Sequence, residues 1–231
     1  MYDFNFRGKD SFKDFGITVA KRPPIIKPQR TVEYIEVPGR DGALIVDDGT
    51  YKDNVIPIEC GFKSRDIPIG ADEIKQWLNG GEGKLIFSNQ PDRCYLAHVS
   101  DQFDISQEMK RFGQFQVNFR CRPFSYAVDN NPITMAVPGA VINPGNHSSE
   151  PIIQVNGSGN ITLTINGTDI LLRNVAGHAT IDSVLKDAYK DTALKNNDMT
   201  GDFPVLVPGE NTISWTGAVA SLEIIPNWRW L

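Results

Sequence analysis

Residues 161–172 read ITLTINGTDILL. Ile161, Leu163 and Ile165 alternate with Thr162 and Thr164, the period-two pattern of a strand with one buried face. Asn166-Gly167 follows, and then the apolar run Ile170-Leu171-Leu172. Asn-Gly accepts positive φ at both central positions, so the stretch predicts a hairpin closed by a type I′ turn. Upstream, IIQVNGSGNITLTI (152–165) predicts strand, turn and strand. Downstream, Asn211–Trp215 and Ser221–Ile225 predict two strands parted by a turn at Thr216-Gly217. Val184, Leu185, Ala188 and Tyr189 have helical spacing, but Ile181-Asp182 reads as a strand end, and extended structure over Ala179–Tyr189 is the expectation. The second half is thus expected to be a β-sandwich, with Phe203 and Trp215 as core anchors.

Outward from there, the first half is mixed. Strands are predicted over 31–37, 55–62, 84–88, 94–99 and 114–122. The last is the clearest: Phe115, Val117, Phe119 and Cys121 alternate with Gln116, Asn118, Arg120 and Arg122. One short helix is predicted, capped by Asp72, with Ile74, Trp77 and Leu78 on one face and Gly80-Gly81 as its stop. The segment 129–144, DNNPITMAVPGAVINP, holds three prolines and divides the halves, so domains of 1–131 and 132–231 are expected. The 231 residues carry a net charge of −5. Residues 132–231 hold 5 basic and 9 acidic side chains. A net acidic charge argues against specific nucleic-acid binding, which normally uses a basic face. No apolar run approaches a membrane span, and the polar start MYDFNFRGKDSFKDFG has no signal-peptide pattern.

Chemistry-bearing motifs are weak. Cys60, Cys94 and Cys121 are odd in number and widely spaced, which fits buried apolar positions better than a disulfide frame or a metal site. His98, His147 and His178 fall in no metal or triad spacing. NGGEGK (79–84) follows a helix and precedes a strand, the reverse of a phosphate loop. Asp47-Asp48-Gly49 with Asp53 lacks the ligand spacing of a calcium loop and reads as a turn. The basic, proline-broken stretch Lys21–Arg30 reads as a solvated loop or hairpin edge. The four Asn-x-Ser/Thr triplets at Asn146, Asn156, Asn160 and Asn166 belong to Thr-rich strands and turns. No catalytic residues, metal or cofactor are predicted.

Two sets of motifs carry a resemblance. The first is Val37-Pro38-Gly39-Arg40-Asp41-Gly42, with Tyr51-Lys52 after it. The second runs through Asn166-Gly167, Ala179-Thr180-Ile181-Asp182, Gly201-Asp202-Phe203-Pro204, Pro208-Gly209-Glu210-Asn211-Thr212-Ile213 and Trp228-Arg229-Trp230. In order and spacing they resemble the distal tail proteins of long non-contractile phage tails. That resemblance implies a β-rich N-terminal domain that forms a hexameric ring and a C-terminal galectin-like β-sandwich. It implies a structural hub of the tail tip or baseplate, assembled in the host cytoplasm. The implied partners are further copies of itself, the tail tube protein, the tape-measure protein and the receptor-binding parts. The chain has no room for an inserted sugar-binding module, so it resembles the short form. The other reading is a module that binds host cell-wall sugars through the sandwich, with Trp215, Trp228 and Trp230 as candidate contacts beside Asn and Asp side chains.

Overall fold

The computed structural model describes residues 2–109 and 111–231. It is mainly β, in two compact units, one up to Val128 and one of Asp129–Trp230.

The first unit runs β1 (Phe4–Phe6), β2 (Lys9–Asp10), α1 (Ser11–Phe15), β3 (Ile17–Val19), β4 (Arg30–Ile35), β5 (Leu44–Tyr51), β6 (Asn54–Lys63), α2 (Ile67–Leu78), β7 (Gly83–Phe87), β8 (Arg93–His98), β9 (Ser106–Met109) and β10 (Phe112–Ala127). Its main sheet has the order β2-β1-β7-β8-β10-β6-β3, with β9 also on β10. The central ladder pairs Phe112–Cys121 with Asn54–Lys63. Phe115, Val117, Phe119 and Cys121 all face the core, as their alternation predicts.

Helix α2 covers that core with Ile67, Ala71, Ile74, Trp77 and Leu78. It begins well before Asp72: Asp66 is the cap and accepts a hydrogen bond from Ile69 N at 3.3 Å, and Pro68 fits the first turn. It ends at Asn79 before Gly80-Gly81. Trp77 stacks on Phe15 with ring centroids 4.3 Å apart, and its Nε1 donates to Phe6 O at 3.0 Å. The single predicted helix has a short companion in α1. There Asp10 accepts from Phe12 N and Lys13 N, Asp14 accepts from Asp10 N, and Gly16 closes the turn at φ 65°.

The second unit runs β11 (Ile133–Met135), β12 (Gly139–Asn143), β13 (Ile152–Ile165), β14 (Thr168–Asp182), β15 (Asp187–Lys190), β16 (Ala193–Leu194), a 3-10 turn over Asn196–Asp198, β17 (Met199–Thr200) and β18 (Gly209–Ile225). The Asn166-Gly167 hairpin is present, with φ of 50° and 81° and Ile165 opposite Thr168. Two predicted turns are instead bends within continuous strands. β13 passes through 157–160 and β18 through 216–217, each with a register shift, because the two strands pair with each other on both sides of the shift. Glycine makes the bend: a Cβ on Gly157 would lie 2.3 Å from Ala218 O, and Gly217 sits at φ 101°. A further correction concerns 179–189. Residues 183–186 form a turn, since Asp182 Oδ1 accepts from both Val184 N and Leu185 N at 2.9 Å, and Lys186 takes φ 59°. The core here is Ile153, Val155, Ile161, Leu163, Ile181, Leu206, Ile213, Leu222 and Ile224. Phe203 and Trp215 are only half-buried and do not anchor it.

Candidate interaction surface

Strands β4 and β5 form a two-stranded sheet of their own. The turn between them holds the motif Pro38-Gly39-Arg40-Asp41-Gly42. Arg40 N donates to Val37 O at 3.1 Å, Pro38 supplies the first central position, and Gly39 the second at φ 81°, the pattern of a type II turn. All five motif residues are exposed.

Next to the turn the strands expose apolar side chains, whereas Arg30, Asp47, Asp48 and Thr50 make the exposed part near the root polar. Tyr34 is 65% exposed and Ile45 60%; Ile35, Leu44 and Val46 are also exposed. The root is tied down. Lys52 N donates to Gln29 O at 2.9 Å, and the Tyr51 ring packs edge-on against Phe124 with centroids 5.7 Å apart. Arg30 Nε meets Asp47 Oδ2 at 2.6 Å, and this contact holds the Asp47 carboxyl below its usual range. Asp47-Asp48-Gly49 is a bulged part of β5 rather than a turn: Asp47 Oδ1 accepts from Gly49 N, and Gly49 takes φ 77°. The stretch Lys21–Gln29 is irregular, with Ile25 fully exposed and Pro28 buried. Strand β5 is not among the strands that the sequence pattern predicts. The signal for it was the branched run Leu44-Ile45-Val46 between Gly42 and Asp47.

The other candidates do not converge. Trp228 is buried, whereas Trp215 and Trp230 are half-buried. No stacking joins Trp215 to Trp228 among the described residues. His178 Nε2 lies 3.4 Å from Asp191 Oδ1 and His147 Nδ1 lies 3.2 Å from Ser148 O. Cys60 and Cys121 are buried free thiols whose pKa burial pushes up to about 12. Among the described residues, no group of three or more His, Cys, Asp or Glu could hold a metal ion, and no helix is long and apolar enough to cross a membrane.

Residues 10–121, the stretch built around this hairpin, match the family model of the phage tail protein RIFT-related domain. That match takes in most of the first unit and just under half of the chain. The whole chain is also similar in fold to the Dit protein of phage SPP1, whose structure is described as a paradigm of hub adsorption apparatus in Gram-positive-infecting phages. The likeness covers 100% of both chains at a TM-score of 0.75 and 14% identity. Among curated proteins, none matches the chain significantly.

Proposed function

We propose that this protein is a structural hub of a phage tail tip, and that its first unit closes a ring of six copies. The observation that carries the reading is the apolar β4–β5 hairpin. A lone two-stranded sheet is marginal in water, and burying a side chain such as Ile45 or Tyr34 contributes about 1.5–3 kcal/mol. A hairpin that is tied down at its root and exposes Tyr34, Ile35, Leu44, Ile45 and Val46 beside its turn gains most by lying on a neighbouring protein. A contact from one face of a copy to a different face of the next is heterologous, and it closes into a ring when the rotation per copy permits. The phage-tail domain of residues 10–121 and the fold shared with a hub protein support the same role.

In this reading the ring joins the end of the tail tube and the tape-measure protein to the receptor-binding parts, and it assembles in the host cytoplasm. Its chemistry is interface burial rather than catalysis. Gold-labelled antibody against the protein should decorate the tip of purified tails in electron micrographs. Label along the tail shaft, on the head, or absent from intact particles would contradict the assignment.

A further inference from the structure

The second unit is acidic, yet three of its five cations are gathered in one place. Of the five lysines and arginines in residues 132–231, Arg173, Lys190 and Lys195 line a single cavity of about 180 Å³. The cavity opens where β14 shifts register against β13, with Asn174 at φ 54°. Strand β15 and the 3-10 turn form its other wall, held by Asn196, which accepts from Ala188 N and donates to Asp187 Oδ1. Its lining includes the buried apolar side chains of Leu172, Val175, Ala179 and Ala188.

Three cations meet one lining carboxylate. Asp198 accepts from Lys195 Nζ at 3.2 Å and from Asn174 Nδ2 at 3.4 Å, and these donors hold its carboxyl below the usual range. Lys190 Nζ donates to Ala176 O. An ammonium has three N–H donors, so both lysines keep donors to spare. Arg173 acts on Asp198 through its charge, but among the described residues its side chain makes no hydrogen bond or close ion pair, and its guanidinium offers a planar fork. His178 also lines the cavity, paired with Asp191. Like charges drawn together around a concavity raise the local concentration of a counter-ion.

We propose that this cavity binds a small anion: a phosphate or carboxylate group carried on a short aliphatic body. The anionic group sits among Arg173, Lys190 and Lys195, and the body lies on the apolar lining. The site lies wholly in the second unit and does not depend on ring formation.

Calorimetric titration of the full chain with glycerol phosphate and with butyrate, at low ionic strength, tests this. Saturable binding of at least one probe is expected, weakened by added salt. Arg173→Gln, an exposed change outside the fold's hydrogen bonding, should weaken it about tenfold, and K190Q/K195Q should abolish it. Lys186→Gln, a charge removed outside the cavity, should leave it unchanged. Preference between the probes separates phosphate from carboxylate. No saturable binding of either probe, or equal loss in Arg173→Gln and Lys186→Gln, would overturn the proposal.

Discussion

Gly113 and Gly61 show how single residues set the first unit's packing. In the β6–β10 ladder Phe62 lies directly opposite Gly113, and Phe112 reaches diagonally over Gly61, whose own partner is Gln114. A Cβ on Gly113 would lie 2.5 Å from Phe62 Cε1, and one on Gly61 would lie 3.1 Å from Phe112 Cζ. The Phe62 ring is itself buried and packed on Phe115, so it has little room to yield. Gly113→Ala should therefore destabilise the first unit by about 1–3 kcal/mol, read as a lower denaturant midpoint. A neutral result would mean the ring moves freely. The buried thiols give a second prediction at this scale. Cys60 and Cys121 titrate near 9.0 in an unfolded chain and at about 12 when folded. Above pH 9 the unfolded state loses protons that the folded state keeps. Their contribution is thus intact below that pH and is lost progressively as pH rises toward 12. Thiol reagents at neutral pH should modify neither cysteine until the chain is denatured. Prompt labelling of the native protein would show that the first unit opens readily.

At the scale of elements, the hairpin is the piece whose sequence and exposure conflict. Tyr34 and Ile45 are paired across β4 and β5 and are the two most exposed large apolar residues of the hairpin. Replacing both with Ser should leave the monomer's folding temperature nearly unchanged, because little of their surface is buried within it. The same change should weaken self-association by roughly tenfold to a hundredfold, measured by sedimentation equilibrium, since apolar anchors dominate interfaces. A variant that associates as well as the parent would place the interface elsewhere. Much of the element map was legible. Alternation in 114–122 and the Asn-Gly hairpin held because one buried face and one positive-φ pair decide them locally. Helix α2 was legible in its apolar stripe but not in its start: Asp72 reads as the cap, whereas the helix begins a turn and a half earlier, at the cap Asp66, with Pro68 in its first turn. Glycines in β13 and β18 were read as reversals. Only the pairing of the two strands on both sides of the glycine shows that they bend and continue. The hairpin's exposure was not legible at all: Leu44-Ile45-Val46 reads the same whether the chain buries it or leaves it for another protein.

At the scale of the whole molecule, the chain is acidic and its two units are ordered by β-pairing. Residues 10–121 match a phage-tail family model, and the full length is similar in fold to a phage hub protein. In the proposed reading that architecture works through contacts between copies, so the central claim is one of assembly. Light scattering coupled to size exclusion, at tens of micromolar full-length protein, measures it most directly. We expect a mass of six copies, or a concentration-dependent approach to it, with rings in negative-stain images of the same fraction. A strictly monomeric mass at every concentration and salt condition, with no ring on the grid, would contradict the account.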